Sequence, residues 1–130
     1  LNRELPPEPE AYLKKAAHAL EVAYRLLDDG YPEDAASKTY YSMYYAAQAL
    51  LKANDIHVIR HSAVESALGY HFAKAGKLDP KWHQMLIRAR RIRETTDYDI
   101  QESVEPDPGL SPAEGELFLT EIKRIICSSV

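Results

Sequence analysis

Ala36-Ser37-Lys38-Thr39-Tyr40-Tyr41-Ser42-Met43-Tyr44-Tyr45-Ala46-Ala47-Gln48-Ala49-Leu50-Leu51 is the stretch on which the fold turns. Within it Ala36, Tyr40, Met43, Tyr44, Ala47, Leu50 and Leu51 recur at three- and four-residue spacing, the period of a helix with one apolar face. Pro32 sits at a first-turn position, and Glu33 and Asp34 after it suit the positive end of a helix dipole. The helix is therefore read from Pro32 to about Ala53. Its period divides the tyrosines: Tyr40 and Tyr44 point to the core, while Tyr41 and Tyr45 lie with Lys38, Gln48 and Lys52 on a neighbouring edge.

The same period continues outward in both directions. Upstream, Leu13, Ala16, Ala17, Leu20, Tyr24 and Leu27 make one stripe from roughly Pro9 to Asp29, and Gly30 is the natural stop. Downstream, Asn54 to His61 reads as a loop, and Ser62 with Glu65 forms a Ser-x-x-Glu capping box. That third helix carries Val64, Leu68, Phe72 and Ala75 inward and ends at Gly76. Asp79-Pro80 opens a fourth, striped by Trp82, Met85, Leu86, Ala89 and Ile92 and fraying near Thr95-Thr96. Residues 100–110, rich in acids, proline and glycine, read as an exposed connection. A second capping box, Ser111 to Glu114, opens a last helix with Phe118, Leu119, Ile122, Ile125 and Ile126 inward. The fold expected is all-α, an antiparallel four-helix bundle with an additional C-terminal helix. It forms a single domain over 1–130 with its core at about 10–126.

Composition narrows the chemistry. With 130 residues, 16 Lys+Arg and 20 Asp+Glu, the net charge is −4, so bulk charge does not make the chain a nucleic-acid binder. No run approaches the roughly 18 apolar residues of a membrane span, and one cysteine forms no internal disulfide, so a reducing, cytoplasmic location is expected. Cys127 reads as a small core residue. A di-iron bundle needs Glu-x-x-His, yet the residues three before His18, His57, His61, His71 and His83 are Lys15, Asn54, Val58, Leu68 and Pro80. No phosphate-binding glycine loop or nucleophile elbow occurs, and neither a metal nor a cofactor is expected.

Charge is segregated along the chain. Lys81, Arg88, Arg90, Arg91 and Arg93 give +5 over residues 81–93 with no acid among them, leaving 20 acids against 11 bases, −9, elsewhere. Arg90, Arg93 and Asp97 share a stripe in which Asp97 could hold an arginine fork or simply pin the helix end. Tyr41 and Tyr45, interleaved with lysines, suit a subunit interface ahead of a platform for stacking bases.

Four blocks, Ala36 to Leu51, His61-Ser62-Ala63-Val64, His71-Phe72-Ala73-Lys74-Ala75-Gly76 and Arg93-Glu94-Thr95-Thr96-Asp97-Tyr98, together resemble the HEPN domain. The likeness is to its small, stand-alone prokaryotic branch, which reads Ser-Arg-x-Tyr-Tyr-Ala-x-Phe-His-Ala-Ala on the second helix and Arg-x-x-Ala-Asp-Tyr at the end of the fourth. The resemblance implies a helical bundle that forms homodimers. It also implies metal-independent endoribonuclease toxins, whose partner is a minimal nucleotidyltransferase, with an Arg, four to six intervening residues and then a His facing the dimer cleft. In such a site imidazole moves protons and guanidinium stabilises phosphate charge. Arg93 matches the arginine. Tyr98, Asp99 and Ile100 stand where the histidine would fall, Lys38 replaces the branch's arginine and Tyr45 its histidine.

The expectation is a cytoplasmic HEPN-type homodimer that binds nucleotide or RNA, or serves as an interaction module, paired with a minimal nucleotidyltransferase in a toxin–antitoxin-like system. Its ligand- or phosphate-binding candidates are Arg90, Arg93, Asp97, Tyr98, Lys38, Tyr41 and Tyr45. One alternative is a divergent metal-independent endoribonuclease with Arg93 and Tyr98 or Asp99 as catalytic candidates, aided by His61 or His71 if either reaches the cleft. A purely structural helical scaffold is the other.

Overall fold

A computed structural model of the chain describes residues 7–98 and 109–129. Five α-helices follow one another: α1 (Pro7–Asp28), α2 (Pro32–Ala53), α3 (His61–Leu68), α4 (Pro80–Tyr98) and α5 (Pro112–Ser129). A π-helical stretch, Gly69–Ala73, continues α3. No strand occurs among the described residues, so the all-α expectation holds. None of their helices is long and apolar enough to cross a membrane.

Gly30 ends α1 as its position predicts. At φ 89° it takes the left-handed conformation, the Gly30 N–H reaches the Leu27 carbonyl at 3.1 Å, and the Tyr31 N–H reaches that of Leu26 at 2.8 Å. This pair of bonds satisfies carbonyls that the helix end leaves open. Only residues 29–31 then separate α1 from α2, so the two helices fold back as an antiparallel hairpin.

α2 is the central element, packed against α1, α3, α4 and α5. Hence 13 of its 22 residues are buried, a wider face than one apolar stripe requires. Its small residues let neighbours come close: Ser42 Oγ donates to the Ala16 carbonyl of α1 at 2.7 Å. On the other side Gly115 of α5 lies so near that a Cβ there would stand 2.8 Å from Thr39 Cγ2. Phe118, Leu119, Ile122, Ile125 and Ile126 close the core as their spacing predicts.

Several local expectations are corrected. The Ser62–Glu65 capping box does not form: Arg60 occupies the cap position without a side-chain bond, and the Glu65 carboxylate turns to Arg90. A charge-assisted bond to a guanidinium outweighs a neutral backbone N–H. In the second box Ser111 Oγ accepts the Ala113 N–H at 3.2 Å, but Glu114 faces Arg88 at 3.0 Å. Helix α4 runs on through Thr95-Thr96 to Tyr98. Ala17, Leu27 and Ala75 lie outward. Cys127 is exposed and no part of the core, because it sits one residue, about 100° of turn, beyond the inward Ile126.

Candidate functional site

Tyr40, Tyr41 and Tyr44 of α2 meet the first residue of α3, His61, on the side of the bundle that α4 covers with Arg90 and Arg93. Tyr44 fixes the approach. Its hydroxyl donates to the Ile59 carbonyl at 2.6 Å, while Gln48 Nε2 donates to the Tyr44 oxygen at 3.1 Å and to the Val58 carbonyl at 2.8 Å. Two of these bonds run from α2 to the loop that delivers His61, and the third ties their two side chains together. The imidazole then stacks on the Tyr44 ring, centroids 4.3 Å apart and planes 18° from parallel. Gln48 is 1 % exposed, so its place on the outer tyrosine edge is corrected: its amide serves the loop inside the protein.

The Tyr40 hydroxyl and His61 Nδ1 are 2.6 Å apart. Burial first, then the nearby Glu65 carboxylate, push the Tyr40 hydroxyl above the usual phenol range, so it keeps its proton. His61 is held below the ordinary histidine value of 6.5, by burial first and then by the Arg93 charge, with Glu65 and Glu94 pulling the other way. At neutral pH the ring is accordingly uncharged. Where Nδ1 accepts from the Tyr40 hydroxyl, the single proton of the ring sits on Nε2.

Arg93 lays its guanidinium against two of these rings, Cζ 5.0 Å from the Tyr41 centroid and 5.6 Å from that of Tyr40. Arg90 has a different commitment, with Nε bonded to Glu65 Oε2 and Nη1 3.1 Å from both Glu94 oxygens. Arg88 and Lys81 of the +5 stretch do not join these two in one basic face. Arg88 ties α4 to Glu114 of α5 and to the Gly109 carbonyl, each at 3.0 Å, and Lys81 covers Trp82. The Asp97 and Tyr98 side chains, and Asp99 and Ile100 altogether, lie outside the described residues. His71 is exposed, its ring edge-on to Tyr70 at 5.0 Å.

The remaining candidates come together elsewhere. Lys38, Tyr41 and Tyr45 line a cleft of about 470 Å3 between α1 and α2, joined there by Lys14, Lys15 and His18 of α1. Tyr41 belongs to both places, since its ring also meets Tyr45 at 6.2 Å. The α1 residues were beyond a reading of single helices. Lys14 and His18 stand four apart, and Lys38, Tyr41 and Tyr45 fall at three and four, but only the hairpin brings the two stripes face to face.

Family comparison agrees with this architecture. The HEPN domain profile matches residues 9–128. The chain belongs to the HEPN domain family. Over 122 residues it is 30% identical to a Methanocaldococcus jannaschii protein named "Putative toxin MJ0142", covering 93% of this chain and 83% of that one. A Gloeobacter violaceus relative named UPF0332 protein glr0978 is 35% identical over 94 residues, 72% of this chain and 75% of its own. UPF0332 protein PH1297 of Pyrococcus horikoshii is 34% identical over 101 residues, with 78% and 71% covered.

Proposed function

We propose that the chain works in the cytoplasm as a homodimeric HEPN module that binds nucleotide or RNA, paired with a minimal nucleotidyltransferase in a toxin–antitoxin-like system. The observation that carries this reading is the Arg93 guanidinium held against Tyr40 and Tyr41. A delocalised cation on an aromatic platform suits a phosphate beside a stacked base. Relatives named as toxins support the toxin-like half. The test combines light scattering on the purified protein, co-purification with a co-expressed nucleotidyltransferase, and titration with labelled single-stranded RNA. A dimer that binds RNA through Arg93, or retains the partner, is the expected result. A monomer that does neither sinks the reading.

One observation favours a second reading, a divergent metal-independent endoribonuclease. No histidine follows Arg93 at the usual spacing, yet His61 sits within the electrostatic reach of Arg93 and packs on the same two tyrosines. In that role Arg93 would stabilise phosphate charge. His61 Nε2–H would donate to the substrate, since Tyr40 occupies the nitrogen that a base would use. Cleavage of single-stranded RNA in EDTA that disappears in both Arg93→Ala and His61→Ala establishes this reading. Binding without cleavage by wild type returns the protein to the first.

A further inference from the structure

The cleft between α1 and α2 is large enough for a ligand of its own. At about 470 Å3 it falls within the roughly 300–1,000 Å3 of small-molecule sites. None of its eight lining residues is acidic, on a chain whose net charge is −4. Glu10 touches Lys14 at 3.7 Å from outside that lining, across an exposed pair. Among the described residues neither Lys15 nor Lys38 has a carboxylate within ion-pair distance. Lys15 instead stands 5.5 Å above the Tyr45 ring, and Tyr41 adds a second ring to the same wall.

Two cations without carboxylate partners beside two aromatic faces match a ligand with an anionic end and a flat end. A bare anion would draw nothing from the rings beyond the Lys15 and Arg93 contacts they already make, and a neutral aromatic would leave the lysines unused. We propose that this cleft binds a nucleoside phosphate, its phosphate between Lys15 and Lys38 and its base against Tyr41 and Tyr45. The site takes its ligand class from the nucleotide-binding reading above and adds α1 to the surface that performs it. A free nucleotide and one nucleotide of an RNA strand offer the same chemistry, and the choice of probes separates them.

Adenosine 5′-monophosphate and a fluorescein-labelled single-stranded octaribonucleotide are titrated against wild type, the Lys15→Glu/Lys38→Glu double variant, Arg93→Ala, and a Lys123→Glu/Arg124→Glu control on α5. Both cleft lysines are exposed, so the double variant keeps its fold, checked by circular dichroism. The double variant is expected to weaken binding about tenfold or more, while the control with the same charge change stays near wild type. Loss of affinity for the monophosphate assigns a free nucleotide; loss for the octamer alone assigns a nucleotide within a strand, whose salt slope should fall by about 0.7 per phosphate contact removed. The proposal is overturned if wild type binds neither probe, if the control weakens binding as much as the cleft variant, or if inorganic phosphate competes as well as the monophosphate. Binding that survives the cleft variant but fails in Arg93→Ala overturns it too, while leaving the site at Arg93 standing.

Discussion

The hydroxyl of Tyr40 and Nδ1 of His61, 2.6 Å apart, make one proton depend on two residues 21 positions distant in the chain. Tyr40→Phe removes the hydroxyl and leaves a half-buried ring nitrogen unsatisfied, so the variant should lose about 1–2 kcal/mol in urea denaturation. A loss within error would mean that water replaces the hydroxyl without cost. Arg93 acts on the same ring through space, holding the His61 proton affinity down. Arg93→Gln should therefore raise the His61 pKa, read from its ring-proton shifts by NMR, and an unchanged or lower value would contradict the electrostatic account. Some of this was legible in the sequence. The helical period alone separates inward Tyr40 and Tyr44 from outward Tyr41 and Tyr45, whereas Gln48 defeats it: the Val58 carbonyl that buries its amide belongs to another segment.

Among the elements, α2 and α5 show how little clearance the bundle has. Thr39 is fully buried and its Oγ1 is bonded to the Ala35 carbonyl at 2.8 Å, so its methyl has no other rotamer to take when Gly115 gains a Cβ. Gly115→Ala gains up to about 1 kcal/mol of helix propensity but faces an overpacking cost of about 1–3 kcal/mol. The expected net loss is about 1–2 kcal/mol in chemical denaturation, and adding Thr39→Ser, which removes the methyl, should recover most of it. If it recovers nothing, another contact governs the fit. Glu65 marks the other joint between elements. Glu65→Gln weakens its bond to Arg90 from a charged to a neutral one and should lower stability by about 1–2 kcal/mol. Helix ends such as Gly30 were readable because their causes are local. The fate of Glu65 was not, because the competitor for its carboxylate lies 25 residues away.

For the molecule as a whole, the depressed His61 pKa ties stability to pH. The unfolded chain binds this proton at about the ordinary value of 6.5, before the folded protein does, so stability falls as pH drops below that value and levels off once folded His61 is also protonated. Thermal denaturation between pH 7.5 and 5 should show this decline, and His61→Gln should flatten it; an equal decline in the variant assigns it to other groups. Charge at this scale also resists a reading from totals. The −4 balance and the +5 stretch both pass over the basic cleft, because its lysines lie on two helices and become neighbours only when the hairpin closes. A thiol on the surface opens a different route to the assembly. Cys127 is the chain's sole thiol and is exposed on the last helix, so a nitroxide attached there marks each copy at one known point. Pulsed electron resonance on that spin-labelled protein would return a single separation for a symmetric pair and no dipolar signal from isolated copies, with no second mutation needed to site the probe.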